Sequence, residues 1–353
     1  MKAAATLRPL SGEPAAVERL VGDWLNARSP SPLTVRTSGS GGEPKDVGLS
    51  ADAVRASASA TLARLGGPGQ WVLALPAHYV AGLQVVVRSV LAGTSPVVLA
   101  DHADLTAATR ALTHERRYLA LVPTQLQRML TRRREAAALA TFDSVLLGGA
   151  AATPTLLAEA RRLGIAVVTT YGMSETCGGC VYDGLPLDDV SVRLAAGGRV
   201  MVSGPVLFDG YVGQPALTAE VLRDGWLCTP DIGRFDDRDR LQILGRVDDV
   251  AVSGGVNVPL AAVQARLTEH PEIAAVAVVG VPDPEWGTRV VAVVVPAAGA
   301  EPPGLARVRD FVGEVHPREW APRTVVVSDE LPLLESGKVD RQSLLRAVTG
   351  GRD

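Results

Sequence analysis

Lysine is nearly absent. Of 35 basic residues in the 353-residue chain, only Lys2, Lys45 and Lys338 are lysines, and arginine supplies the rest. A chain so biased keeps lysine where a compact, mobile point charge does what a planar guanidinium fork cannot. Lys2 stands near the start, whereas the other two are flanked by glycine or proline, in Glu43-Pro44-Lys45 and Ser336-Gly337-Lys338. Cysteine is scarce too. Cys177, Cys180 and Cys228 are too few for a disulfide framework. Cys177-Gly-Gly-Cys180 has the spacing of a metal knuckle, but no second pair or histidine follows at a suitable distance, so small residues in a turn are expected there. The five histidines (His78, His102, His114, His270 and His316) form no ligand pattern. No stretch is apolar for the length that crosses a bilayer, and the first twenty residues lack the apolar core of a secretory signal. A net charge of −3 with one basic run, Arg132-Arg133-Arg134, argues against nucleic acid as a general partner. That run is expected to cap the end of a helix. These absences leave a soluble cytoplasmic enzyme, without membrane insertion, as the default expectation.

What the chain does have is a loop. Thr37-Ser38-Gly39-Ser40-Gly41-Gly42-Glu43-Pro44-Lys45 follows a β-prone run and holds three glycines, three hydroxyls and a lysine. Glycines let backbone N–H groups turn inward, hydroxyls add donors, and the lysine adds charge, a set that suits a polyphosphate. It is not a Walker A loop, which ends in Gly-Lys-Ser/Thr. Pro44 denies a helix immediate entry, so Lys45 is expected on a turn. A flexible Gly/Ser linker is the competing reading.

After this loop the texture is α/β. Ser50 caps a helix of small residues running to Arg64 and closed by Gly66-Gly67. Strands are then expected at 71–75, 96–99, 118–122, 144–147 and 166–170, alternating with helices at 82–92, 105–112, 123–134 and 154–163. Continuous apolar strands separated by helices indicate βαβ units and a largely parallel sheet, whose ligands collect beyond the carboxyl ends of the strands. Gly148-Gly149-Ala150 and Tyr171-Gly172-Met173-Ser174-Glu175-Thr176 fall there. From about 185 to 246 short strands between Gly/Asp turns read as an antiparallel β-rich part. The division expected is therefore a large N-terminal domain, 1–246, and a small α+β C-terminal domain, 247–353.

The order of these pieces resembles the adenylate-forming superfamily of acyl- and aryl-CoA synthetases, peptide-synthetase adenylation domains and luciferases. The resemblance rests on Thr37–Lys45 (with Gly41 where Thr is usual), Tyr171–Thr176, Thr229-Pro230-Asp231 (where Thr-Gly-Asp is usual), the stretch from Gly245 to Val258, and the stretch from Pro332 to Arg341. It implies ATP, Mg²⁺ and coenzyme A as reactants. Thr37, Ser38, Gly39, Ser40, Gly41, Gly42, Lys45 and Ser174 would hold the phosphates. Gly148, Gly149, Ala150 and Gly172 would border the adenine, with Tyr171 stacked on it. Glu175 would hold Mg²⁺, and Asp231 with Arg246 would hold the ribose. Lys338 would bridge the attacking carboxylate and the α-phosphate. The small domain would be mobile, turning about Asp248 and bringing Gly254-Gly255 to line the thiol's tunnel.

Only 36 residues precede the glycine loop, so the chain looks like the short o-succinylbenzoate–CoA ligases of menaquinone biosynthesis. In Pro76-Ala77-His78-Tyr79-Val80-Ala81-Gly82, Tyr79 takes the place where that group has histidine, with His78 one earlier. Arg88 falls among valines and needs an anion; the resemblance offers the substrate's second carboxylate, and a local acidic residue is the alternative. Another aryl- or acyl-CoA synthetase, a stand-alone adenylation domain or an inactive nucleotide-binding homologue are the rival functions. The resemblance leaves room for a homodimer.

Overall fold

The fold is known from a computed structural model that describes residues 14–37, 45–334 and 339–350. Helix α1 (Pro14–Asn26) precedes the hairpin of β1 (Leu33–Thr37) and β2 (Lys45–Leu49). Ser50 then caps α2 (Ala51–Arg64), its hydroxyl accepting from the N–H of Ala53. The alternating region follows: β3 (Gln70–Leu73), α3 (Val80–Leu91), β4 (Val97–Val98), α4 (Leu105–Arg110), β5 (Arg117–Leu121), α5 (Pro123–Leu130), α6 (Arg133–Leu139), β6 (Ser144–Leu147), α7 (Pro154–Arg162), β7 (Val167–Met173), β8 (Gly178–Tyr182) and β9 (Leu185–Pro186). These strands form one sheet in the order β4-β3-β5-β6-β7-β8-β9. It is parallel from β4 through β7 and antiparallel beyond. β3, β5 and β6 are buried along their whole apolar length, as strands covered on both faces must be. One face packs Val72, Leu119, Leu121, Val145 and Leu147 against Leu105, Leu126, Leu139, Leu156 and Ala160 of the helices.

Three sequence expectations change here. The segment expected as one helix at 123–134 is two. Arg132 is extended (φ −109°, ψ 104°) and precedes α6, so the arginine run opens a helix instead of closing one. Its charges sit unfavourably against the positive end of α6, and Glu135, bonded to Arg132 at 3.3 Å, offsets them. Lys45 opens β2 instead of sitting on a turn, because pairing with Thr37 holds it extended. The strand expected to end at Thr170 runs on to Met173, so Tyr171 and Gly172 are strand residues.

The chain continues through β10 (Ser191–Leu194), β11 (Arg199–Ser203), β12 (Gly210–Tyr211), α8 (Pro215–Val221), β13 (Leu222–Arg223), β14 (Trp226–Phe235) and β15 (Leu241–Arg246). β12 joins the first hairpin in a sheet ordered β1-β2-β12, and the others form a sheet ordered β10-β11-β14-β13 with β15 on β14. Pro230 thus stands inside a strand, where it gives no ladder hydrogen bond. Period-two alternation buries Thr229 and Asp231 on one face.

The molecule divides into two compact units. One comprises Met1–Arg193, Met201–Thr229 and Phe235–Leu241; the other comprises Leu194–Val200, Pro230–Arg234 and Gln242–Asp353. The second contains β16 (Val250–Ser253), β17 (Val256–Pro259), α9 (Leu260–Thr268), β18 (Ile273–Asp283), β19 (Gly287–Pro296), α10 (Leu305–Gly313), β20 (Thr324–Val327) and α11 (Arg341–Gly350). Its sheet, β17-β16-β19-β18 with β20 on β19, buries one face against α9 and α10 and the other against Leu344 of α11. β16 and β17 are joined by Gly254 and Gly255 alone, with φ of +59° and +79°. Two successive positive φ values define the tight hairpin turn that matches strand twist and that only glycine adopts without strain. No helix among the described residues is long and apolar enough to cross a membrane.

Two outcomes are expected. Gly254→Ala should destabilise the second unit by roughly 1–2 kcal/mol from backbone strain alone, and by more than Gly255→Ala. A methyl on Gly254 would stand 2.8 Å from the Trp286 ring, whereas one on Gly255 meets nothing within 4 Å. Denaturant titration of the two variants checks the order. Among the thiols, burial pushes Cys177 up and holds Cys180 at about 12. Both stay protonated at pH 8, so alkylation of the native protein at that pH should label half-exposed Cys228 and spare the other two until denaturant is added.

Candidate active site

The register of the first hairpin places Thr37 opposite Lys45 and Arg36 opposite Asp46. The Thr37 hydroxyl donates to the carbonyl of Lys45 at 3.4 Å, and Arg36 bonds Asp46 at 3.0 Å. The loop singled out by composition therefore connects two paired strand ends. Ser38, Gly39, Ser40, Gly41 and Gly42 lie outside the described residues. On the other edge of β2, Tyr211 pairs with Val47, and the Lys45 ammonium lies 5.2 Å from the centre of the Tyr211 ring.

The same tyrosine reaches Glu175. Its hydroxyl donates to Oε1 at 2.7 Å. Burial, then the Glu175 charge and this hydrogen bond, push the phenol well above its ordinary range, so it remains a donor at any physiological pH. Glu175 stands in a 3-10 turn, Ser174–Thr176, directly after β7. That turn is tied on both sides. Thr176 accepts from the Met173 N–H at 2.9 Å and donates to the Gly178 carbonyl at 2.7 Å, while the Phe208 N–H donates to the Glu175 carbonyl at 3.0 Å. Phe208 meets the Tyr211 ring edge-on at 5.1 Å. Neither aromatic was singled out from sequence. The available signal was their rarity, since aromatics make up 4% of the chain and these two flank Asp209-Gly210.

The remaining candidates of the first unit line the carboxyl edge of the parallel sheet. His78 and Tyr79 follow β3, with rings 4.4 Å apart; Gly148, Gly149 and Ala150 follow β6; Tyr171 and Gly172 lie at the end of β7 and Ser174 directly follows it. β3 and β7 are three strand spacings apart, roughly 14 Å. Chain order reverses between β3 and β5, which makes the edge beside His78 and Tyr79 the crevice of a doubly wound sheet. Gly172 is required where it stands, because a Cβ there would lie 2.0 Å from the Gly178 carbonyl.

Arg88 is not brought to that edge. It lies nine residues beyond Tyr79, roughly 13 Å along the helix. It is 3% exposed, with its guanidinium carbon 5.0 Å from the Trp71 ring centre. Burial lowers its pKa, no carboxylate among the described residues pairs with it, and its Nε has no hydrogen-bond partner. The local acidic partner considered from sequence is absent among the described residues.

In the second unit, Asp231 is buried in β14, and Arg246 ends β15. Asp248 falls in the short turn Val247–Asp249, where Asp249 pairs with Arg341. Gly254 and Gly255 form the hairpin described above. Lys338 lies outside the described residues; on either side of it, Leu333 and Val339 pair as an antiparallel bridge.

Among the described residues no cluster of three or more His, Cys, Asp or Glu could form a metal cage. Glu175 offers one carboxylate with Oε2 unclaimed among the described residues, close to the stem of the glycine loop. A single hard oxygen donor suits a Mg²⁺ that brings its other ligands as water and phosphate.

Known proteins share this fold. The AMP-binding enzyme family matches residues 35–212, and the AMP-binding enzyme C-terminal domain matches residues 262–338. A probable 2-succinylbenzoate–CoA ligase of Mycobacterium tuberculosis is 44% identical, over 91% of this chain and 85% of its own length. An indoleacetate–CoA ligase of Aromatoleum aromaticum is 33% identical, over 90% of this chain and 67% of its own. The o-succinylbenzoate CoA synthetase of Bacillus subtilis, solved with the acyl-adenylate intermediate OSB-AMP, superposes with a TM-score of 0.76 at 28% identity, covering 88% of this chain and 68% of that one. The same enzyme has been solved with ATP and magnesium ion. With the sheet, the hairpin stem and the Glu175 turn all in place, the chain belongs to the family of AMP-binding, adenylate-forming enzymes.

Proposed function

We propose that the chain is an AMP-forming 2-succinylbenzoate–CoA ligase of menaquinone biosynthesis, working in the cytoplasm on small molecules. The observation that carries the substrate is the 44% identity to the mycobacterial ligase, which extends over 85% of that protein. In the first step a carboxylate oxygen of the acid attacks the α-phosphorus of ATP, the bond to the β,γ-pair breaks, and pyrophosphate leaves. In the second, the sulfur of coenzyme A attacks the acyl carbon and AMP departs with the bonding electrons.

Each proposed role follows from chemistry. Thr37, Lys45 and the loop between them neutralise the β- and γ-phosphates. Tyr171 presents a ring to adenine beside Gly148, Gly149 and Ala150. Asp231 accepts from ribose hydroxyls, with Arg246 alongside. Mg²⁺, held at Glu175, would supply charge neutralisation at the phosphates. Lys338 delivers a cation to the oxygen developing charge on the α-phosphate. Asp248 is the proposed pivot, and Gly254-Gly255 the proposed close approach for the thiol arm.

His78 and Tyr79 are proposed to line the acid pocket. Arg88 enters the proposal as a cation whose charge no described carboxylate balances. A ligand starting at the sheet edge must extend along α3 to meet it, so only a long dicarboxylate would feel its loss. The similarity to the indoleacetate ligase keeps another aryl acid as the second reading, and an acid panel separates the two.

Three measurements test this. With o-succinylbenzoate and ATP the protein should release pyrophosphate and consume coenzyme A one for one; no release from any acid would defeat the reading. Lys338→Ala should lower adenylation at least a thousandfold yet spare thioester formation from supplied acyl-adenylate, as for a group acting on charge that develops only in the first step. Arg88→Met should raise the KM for the dicarboxylate about tenfold or more and leave a matched monocarboxylate unchanged, whereas equal losses would remove Arg88 from the acid site.

A further inference from the structure

Tyr211 is held on several sides, through its backbone, its ring and its hydroxyl. Tyr211 stands between a cation and an anion. Its ring lies under the Lys45 ammonium, and its hydroxyl holds Glu175 Oε1 at 2.7 Å. Lys45 and Glu175 are both half-buried, yet no ion pair joins them. Half-buried opposite charges that share one neighbour gain by pairing directly, because partial burial strengthens their attraction. A direct pair would satisfy both groups and leave neither for a nucleotide. The aromatic face offers the ammonium a weak partner, and the hydroxyl offers the carboxylate a single bond that leaves Oε2 open.

We propose that Tyr211 is a positioning residue with two separable functions: its hydroxyl presents Glu175 to the metal, and its ring holds Lys45 apart from Glu175 and aimed at the triphosphate. This rests on the reading of the site as an ATP site, and it does not depend on which acid is activated.

The fold supports a positioning role over simple filling. Tyr211 occupies a two-residue strand fixed to β2 by Val47, and its own N–H donates to the Thr218 hydroxyl at 2.9 Å. Phe208 packs against its ring, and the neighbouring Phe208 N–H bonds the Glu175 carbonyl. The backbone of the carboxylate and the ring that directs its side chain are thus set by the same four residues, 208–211.

The test is nucleotide binding by calorimetry on the full chain, with ATP in chelator and with ATP plus Mg²⁺, beside a thermal melt. Tyr211→Phe keeps the ring and its packing and removes only the hydroxyl. It should leave metal-free ATP affinity within about twofold and weaken the Mg²⁺-dependent gain about tenfold, the scale of one hydrogen bond to a charged group. In a Glu175→Gln background the same substitution should change the Mg²⁺ response no further, because the hydroxyl acts through that carboxylate. Tyr211→Leu should lose metal-free affinity as well, and Lys45→Gln should remove that additional loss.

An unchanged Mg²⁺ response in Tyr211→Phe would overturn the proposal. So would equal weakening with and without metal in both variants, or a hydroxyl effect that persists without the Glu175 carboxylate. Should Tyr211→Phe fail to fold, the ring-and-hydroxyl division is likewise overturned, since the residue would then be needed for packing. Failure of the wild-type chain to bind ATP at all would instead defeat the reading of the site. Binding without turnover of o-succinylbenzoate would defeat only the substrate.

Discussion

Two opposite charges proposed to serve one triphosphate must be close together without neutralising each other. The proposed site in the first unit meets that constraint. Lys45 is fixed by a strand pairing, Glu175 by a turn bonded at both ends, and Tyr211 occupies the space between them. None of the three positions is set by local sequence alone. The hairpin stem positions the lysine, the end of β7 positions the carboxylate, and the short edge strand β12 brings in the tyrosine from 36 residues further along the chain than Glu175. A half-buried setting makes each interaction worth more than it would be in water, and makes an error in spacing correspondingly more costly.

The parallel sheet was legible because its strands are covered on both faces. Runs such as Tyr118–Leu121 and Val145–Leu147 are apolar without alternation, and short helices separate them. Ser50 and Asp104 cap helices through their side chains as their residue types predict. Where reading failed, tertiary pairing had overridden local signals. β14 contains Pro230, which argues against an interior strand, yet neighbouring strands hold that segment extended. The Arg132 break inside an apparently continuous helix has no glycine or proline to announce it. Tyr211 was missed for a related reason: a two-residue strand has no periodicity to detect, and its importance lies in partners distant in sequence.

Scarcity, not pattern, drew attention to one lysine. Lys45 stands on the stem of the glycine loop, its ammonium over the ring of the tyrosine that bonds Glu175. The glycines of the second unit teach the opposite caution. Gly254 and Gly255 were singled out as a place for a thiol arm to pass, but the two-residue hairpin between β16 and β17 already requires both. Their presence is explained by backbone geometry before any ligand is considered, so glycine there does not by itself argue for a tunnel.

Arg88 presents the reverse situation, a residue whose environment does not account for it. Moving an ion out of water costs several kcal/mol even after the protein relaxes. An aromatic face returns about 2 kcal/mol when desolvated, and Trp71 is the aromatic face against this guanidinium. Lowering the pKa cannot close the gap, because arginine starts so far above neutrality that it stays charged. A neutral residue of the same length would fill the space more favourably, so stability alone gives no reason for the charge. An anion that binds transiently would give one, as proposed for the second carboxylate of the acid: the cation would be carried at a cost without ligand, and that same cost would select the carboxylate.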